Sequence, residues 1–273
     1  MSNGIKMPSL IYGTAWKKEQ TAGLVVKAIK NGFRGIDTAC QPKHYFEPGV
    51  GQALKDLELM GITREQLFLQ TKFTAIQGQD PQNIPYDPSV PLHEQVMQSF
   101  ATSKENLGTE VIDSYILHSP LSTHHDTIQV WRAMEAIYES GSVKQLGISN
   151  CYDIESMQRL YQDAVVKPAV LQNRFYKETD YDKELRQWCT ENKIVYQSFW
   201  TLTANPALLQ SSTITAMATA NNKTPAQILF RYLTQIGIVP LTGTTSDSHM
   251  VEDLAIFSFE LTDAEMAKIH HLI

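Results

Sequence analysis

Eight apolar runs of strand length, each closed by polar residues and most followed by an amphipathic helical stretch, constrain this 273-residue chain more than any other feature. A continuous apolar run bounded by turn residues suits a parallel strand covered on both faces, where a polar side chain meets solvent or ligand only at the carboxyl end. Residues 111–120 (VIDSYILHSP) show the pattern plainly, delivering His118 against a proline stop. Residues 35–39 end around Asp37, residues 66–73 on Lys72, residues 144–150 in Ser149-Asn150, and residues 168–176 pass through Gln172 and Asn173. Residues 194–202 and 238–242 supply two further strands. Residues 5–16 read as a short hairpin leading into the first strand, ended by Gly13-Thr14, where the backbone can approach a ligand closely.

Helical spacing occupies residues 19–30, closed by Asn31-Gly32, then residues 49–60, 92–107, 127–139, 154–165 and 183–192. Thr224-Pro225 opens another helix with a cap and a proline at the first position, and residues 205–211 look like a short extra one. Regular alternation with short connections predicts an α/β fold, a closed (β/α)8 TIM barrel with a short N-terminal β-hairpin and extra C-terminal helices, as one domain over residues 1–273. A doubly wound dinucleotide fold would show a GxGxxG turn, and Gly13-Thr14-Ala15-Trp16 does not supply one. Residues 74–91, rich in Pro, Asp, Gln and Gly, form a long connection of the kind that usually serves function.

Composition narrows the function. A net charge of −6 offers no basic surface for nucleic acid. No window approaches the roughly 18 apolar residues of a membrane span, and residues 1–10 lack a signal pattern, so the expectation is a cytoplasmic protein. Cys40, Cys151 and Cys189 have no CxxC spacing and read as reduced, packed thiols. No HxH closes the first strand, so no metal is expected.

In a barrel of this kind the polar strand ends converge at one face. Asp37 beside Lys72 predicts an ion pair, and Tyr45, in the loop after Asp37, is a candidate phenol whose pKa a nearby cation would lower. Such a phenol, aimed by His118, suits protonation of a carbonyl oxygen as hydride reaches carbon. Tyr45 fits rim packing as well.

Ordered stretches, namely residues 5–13 (IKMPSLIYG), 35–39 (GIDTA), 67–72 (LFLQTK), 113–120 (DSYILHSP), 146–150 (LGISN), 224–231 (TPAQILFR) and 259–266 (FELTDAEM), resemble the aldo-keto reductase family over essentially the whole chain. The resemblance implies a barrel oxidoreductase that reduces an aldehyde or ketone with NADPH, NADH being possible, through a tetrad of Asp37, Tyr45, Lys72 and His118. It further implies that Ser149, Asn150 and Gln172 hold the carboxamide and that Phe199, where the family often has tyrosine, stacks on the nicotinamide. The implied partner is a small-molecule carbonyl compound, with the protein a monomer or weak dimer.

Two departures carry their own expectations. The family's tyrosine lies closer to the aspartate, whereas Gln41-Pro42-Lys43-His44-Tyr45-Phe46-Glu47 lengthens the loop and counting back from Val50-Gly51 lands the tyrosine slot on His44. Tyr45 is preferred because only a phenol fits the acid role, with His44 beside the substrate. After the last strand, residues 240–253 (PLTGTTSDSHMVED) lack the lysine and arginine that often surround the cofactor's 2′-phosphate. Thr242, Gly243 and Thr244, with a protonated His249 and the following Glu252 and Asp253, are left to hold that end, which predicts weakened discrimination against NADH.

The chain ends soon after the helix opened by Thr262-Asp263, without the extended C-terminal loop of larger members. Trp16, residues 74–91 and Trp200 are therefore the expected pocket walls, favouring aromatic or aliphatic substrates over highly charged ones. Two other classes fit parts of the pattern: a Schiff-base lyase using Lys72 as nucleophile, and a non-catalytic cofactor-binding redox sensor or regulatory barrel.

Overall fold

The computed structural model describes residues 5–273. Its parallel strands β1 (Ile11–Gly13), β2 (Gly35–Asp37), β3 (Phe68–Phe73), β4 (Ser114–Leu117), β5 (Leu146–Ser149), β6 (Val170–Arg174), β7 (Val195–Phe199) and β8 (Val239–Thr242) close in chain order, because β1 pairs with both β2 and β8. Around them lie α1 (Thr21–Asn31), α2 (Glu47–Leu59), α3 (Leu92–Leu107), α4 (His124–Glu139), α5 (Ile154–Asp163), α6 (Lys183–Glu191), α7 (Pro206–Leu209), α8 (Ser212–Asn221), α9 (Pro225–Gln235), α10 (Asp247–Leu254) and α11 (Asp263–His270). Caps set several of these boundaries. Thr224 and Thr262 each form a reciprocal capping box, with Gln227 and Glu265, that satisfies the first free amides of α9 and α11.

The period of two along each strand divides the core. Outward residues such as Leu69, Phe73, Tyr115, Leu117, Ile148 and Leu171 pack under the helices, while Ile11, Phe68, Ile116, Val170, Val239 and Leu241 fill the barrel, with Met7 beneath them. Gly147 on β5 permits this closeness, since a Cβ there would lie 2.4 Å from Ile116 Cδ1 and 2.8 Å from the Val170 carbonyl. Above the apolar plug the inward side chains turn polar, and the site begins there.

The fold departs from expectation at three places. No hairpin precedes β1 among the described residues, because Met7 serves as a plug, accepting from Gln197 Nε2, instead of pairing in a strand; residues 1–4 lie outside the described residues. Helix α8 (STITAMATAN) escapes a periodicity reading because it is threonine- and alanine-rich with little apolar contrast, and it is set by the Ser211 cap on Ile214 N. Residues 79–91 fold back on α3, through Asp87 N to Gln98 Oε1 and Thr102 Oγ1 to the Pro85 carbonyl, so only Thr74 and Gly78 of residues 74–91 reach the central cavity. Among the described residues no helix is long and apolar enough to cross a membrane, and no cluster could hold a metal ion.

Candidate active site

Strand register sets Asp37 beside Gln70 and Gln172 beside Gln197 inside the barrel, and Lys72 follows one inward position above Gln70 on β3. Lys72 Nζ donates to Asp37 Oδ2 at 2.6 Å, to Oδ1 at 2.7 Å and to the Thr38 carbonyl at 2.9 Å. Both side chains are essentially fully buried. Gln70 Nε2 and Gln172 Nε2 also donate to Asp37 Oδ1, at 2.7 and 3.1 Å, and both share the Gln197 Oε1 acceptor. A buried carboxylate is thus met by one ammonium and two amides, which is how such a charge can remain in a dry interior. Burial lowers the Lys72 ammonium from its ordinary value, opposed by the Asp37 carboxylate and, more weakly, by Glu47.

Tyr45 and His118 stand above this pair, their rings edge to face with centroids 6.0 Å apart. The loop carrying Tyr45 is pinned at both ends. Gln41 turns it, accepting from the amides of His44 and Tyr45, and buried Glu47 ends it by accepting from Thr71 Oγ1 at 2.6 Å and Ser103 Oγ at 2.9 Å. Lys72 Nζ lies 5.0 Å from the Tyr45 ring centroid, while the phenol oxygen has no hydrogen-bond partner among the described residues. The expected lowering of this phenol by Lys72 is not found. Burial raises it, and Asp37 adds to the rise, because the ammonium is already matched by both Asp37 oxygens.

His118 is pushed down to about 3 by burial first, then by the Lys72 and His44 charges, so its imidazole is neutral at physiological pH. Its Nδ1 lies 2.7 Å from Thr74 Oγ1. His44 lines the same cavity, its ring 4.0 Å from that of Trp16 and its Nδ1 3.0 Å from Gln41 Oε1.

These groups open on a cavity of about 1120 Å³ that runs across the carboxyl ends of the strands. Ser149, Asn150, Gln172 and Phe199 line its middle, Gly13, Trp16 and Trp200 its rim, and Thr242, Gly243, Thr244, His249, Glu252 and Asp253 its far end. Two expected members point elsewhere. Thr14 is fully buried with Oγ1 on the Asp37 carbonyl, and Asn173 faces the helix layer, bonded to the Cys151 carbonyl and Asp182. Thr242 lines the cavity, but its hydroxyl is committed to Asp253 Oδ2 at 2.7 Å, and burial pushes the Asp253 carboxyl up to about 6. Trp16, Asn150 and Trp200 hold left-handed backbone at φ 64°, 52° and 55°, strain of a kind that collects at functional sites.

Comparison with known proteins agrees with this geometry. The profile described as Aldo/keto reductase family matches residues 9–273. The chain belongs to the aldo/keto reductase family. A glyoxal reductase of Bacillus subtilis is 32% identical over 277 residues, covering 100% of this chain and 91% of the relative. A methylglyoxal reductase of Escherichia coli (strain K12) is 27% identical, covering 100% and 92%. Among solved structures, an aldo/keto reductase from Brucella melitensis superposes with a TM-score of 0.84 at 28% identity, covering 100% of this chain and 98% of that one. A silkworm aldo-keto reductase complexed with NADPH gives 0.81 at 26%, covering 99% and 86%.

Within this aldo/keto reductase barrel, sequence reasoning missed four cavity or support residues. Gln70 and Gln197 were legible from period two, lying two residues before Lys72 and Phe199 on the same faces. Lys17 was signalled only by its place after Trp16; its ammonium bonds the Gly243 carbonyl and bridges the rim from β1 to β8. Arg174, two residues beyond Gln172, also lines the cavity.

Proposed function

We propose that this aldo/keto reductase reduces an aldehyde or ketone to an alcohol with NADPH, accepting NADH as well, and that Tyr45 is the proton donor supported by Lys72, Asp37 and His118. The observation that carries the reading is a phenol with an uncommitted hydroxyl, placed between a buried Asp37–Lys72 pair and a neutral imidazole at the floor of a long cavity.

The residues present fit a nicotinamide cofactor. A carboxamide needs both a donor and an acceptor, and Gln172 Oε1 is uncommitted while Asn150 and Ser149 stand beside it on β5 and its end. Phe199 offers a flat apolar face. When bound, the reduced nicotinamide supplies the hydride. At the far end, Glu252 and Asp253 place carboxylates where a cationic clamp would be needed to favour a 2′-phosphate, which supports use of both cofactors.

The protein's part is then proton delivery and orientation. With Thr74 Oγ1 donating to His118 Nδ1, the imidazole carries its proton on Nε2 and offers it as a hydrogen bond to the carbonyl oxygen. Tyr45 Oη gives its proton to the same oxygen as charge develops there. Lys72, 5.0 Å from the phenol ring centroid, offsets the Asp37 charge that would otherwise oppose the phenolate left behind. Asp37 holds Lys72 in place through both oxygens, which also leaves no free amine for a Schiff base.

The names of the relatives point to small dicarbonyls as first substrates. The test is an assay of glyoxal, methylglyoxal and a panel of aromatic aldehydes and ketones with NADPH and NADH in parallel, on native protein and Tyr45→Phe. The expected result is turnover by the native protein, with kcat in the variant lower by about 100-fold or more while cofactor affinity holds. Near-normal turnover by Tyr45→Phe removes Tyr45 from the mechanism. Cofactor binding without cofactor oxidation on any of these carbonyls favours a regulatory barrel.

A further inference from the structure

Arg174 is the feature of the cavity that the reduction chemistry leaves unused. It closes β6 on the inward face, two residues beyond Gln172 and opposite Phe199 in the β6–β7 register. Its guanidinium carbon lies 4.4 Å from the Trp200 ring centroid and 5.1 Å from that of Tyr176. Its backbone amide is bonded to Tyr152 Oη, but its guanidinium nitrogens have no hydrogen-bond or ion-pair partner among the described residues, and Nε is buried without one. Arg64 and Arg231 also have a buried Nε without a partner, but their terminal nitrogens are engaged, so among the described residues no other arginine with buried atoms has a wholly unpartnered guanidinium. Arg34, Arg64, Arg132, Arg186 and Arg231 each donate to carbonyls or carboxylates, and Arg159 is exposed.

A guanidinium is a permanent cation with a planar fork of donors that matches a carboxylate in two parallel hydrogen bonds. Two aromatic faces hold it and soften the loss of water, yet they satisfy none of its N–H groups. Side chains kept half-buried, oriented and unsatisfied in a ligand cavity are poised for an acceptor brought by the ligand.

We infer that Arg174 binds the carboxylate of the carbonyl substrate, so that the preferred substrates are oxo acids and carboxylate-bearing aldehydes. This rests on the proposed reduction for its substrate, and on the cavity alone for its anion. The anion is assigned to the substrate, not to a cofactor phosphate, by the neighbours: Gln172 and Phe199, which flank Arg174, are the residues read as facing the uncharged nicotinamide. Of the other cationic or imidazole side chains lining the cavity, Lys17 is bonded to the Gly243 carbonyl, His44 is stacked on Trp16 and bonded to Gln41, His249 lies on α10 beyond β8, and His118 is neutral. Selection for an anion therefore falls to Arg174. The hydride and proton steps are unchanged, and the carboxylate passes through them intact.

The experiment has a binding arm and a turnover arm, each on the native protein, Arg174→Gln and Arg174→Lys. Benzoate and the uncharged benzamide are titrated against intrinsic fluorescence, to which Trp200 contributes from its stacked position on Arg174. The expected result is that benzoate binds the native protein, that Arg174→Gln weakens it by about tenfold or more, and that Arg174→Lys recovers part of the loss because charge returns without the fork. Turnover then compares 4-carboxybenzaldehyde with benzaldehyde: the ratio of their kcat/KM values falls by about tenfold in Arg174→Gln, a ratio that cancels any general loss of activity. Unchanged benzoate affinity in Arg174→Gln overturns the inference. So does an unchanged ratio accompanied by weaker NADPH binding, which assigns the guanidinium to the cofactor. If benzoate binding depends on Arg174 but no carbonyl is turned over, the anion site stands and the reductase reading fails.

Discussion

Lys72→Met tests the buried pair at the centre of the site. The substitution keeps length and apolar bulk while removing the ammonium that contacts both Asp37 oxygens. Asp37 Oδ1 would retain the Gln70 and Gln172 amides, whereas Oδ2 would lose the donor it has and remain a buried, unmatched carboxylate oxygen. Breaking a buried ion pair from one side costs about 3–5 kcal/mol, and the two remaining amides place this case near the lower end, about 3 kcal/mol. In a chain of this size that lowers Tm by roughly 6–12 °C. Asp37→Asn alone should cost less, since the amide oxygen still accepts and Lys72 keeps the Thr38 carbonyl. The double variant Asp37→Asn/Lys72→Met leaves no charge at the pair and should recover at least about half of the single-variant loss. Urea unfolding followed by fluorescence at pH 7 measures all three, and kcat read alongside should stay low in the double variant although stability returns. Loss of less than about 1 kcal/mol in Lys72→Met, or a double variant no more stable than Lys72→Met, refutes the claim that an unmatched carboxylate is the source.

Two further outcomes follow from other parts of the molecule. His118, with a folded pKa near 3 against an ordinary 6.5, takes up no proton on acidification until the unfolded chain has already done so; its contribution to stability is whole above pH 6.5 and is lost as pH falls toward 3. Between pH 6 and 4.5 the native protein should lose stability more steeply than His118→Gln, by up to about 1.4 kcal/mol per pH unit, and parallel curves would contradict the buried neutral imidazole. At the α2–α3 crossing, a Cβ on Gly51 would lie 2.0 Å from the Asn106 carbonyl, so Gly51→Ala should cost about 2–3 kcal/mol through a backbone shift, whereas Gly23→Ala, with open space on α1, should stabilise by about 0.5–1 kcal/mol. Paired denaturant titrations check both signs.

The barrel was legible because most strands lead with apolar residues on both faces and turn polar toward their carboxyl ends, and that pattern leaves a trace in composition. Caps were legible for a related reason: Thr224-Pro225 and Thr262-Asp263 satisfy specific amides, so the chemistry is local. Helix α8 carries a Ser cap but almost no apolar contrast, and it is held by contacts with α9 and α11 that no short window contains. The phenol's direction was illegible for a different cause. A cation near Tyr45 predicts a lowered pKa, but the sign depends on whether that cation still has charge to spare, and Asp37 leaves it little.

Asn173, read into the site, and Gln70, Gln197 and Arg174, passed over on the strands, share one origin. Reading polar strand ends as a set puts Gln172 and Asn173 together, yet successive side chains on a strand face opposite sides of the sheet. Once Gln172 is inward, Asn173 must enter the helix layer, where Cys151 and Asp182 receive it, and Arg174 must return to the cavity. The same alternation carried from Lys72 back to Gln70, and from Phe199 back to Gln197, yields the amides that steady Asp37. Polarity alone therefore selects one residue too many and three too few. Applied to β6 it changes the chemistry expected of the cavity, because an amide facing the helices is exchanged for a cation facing the ligand.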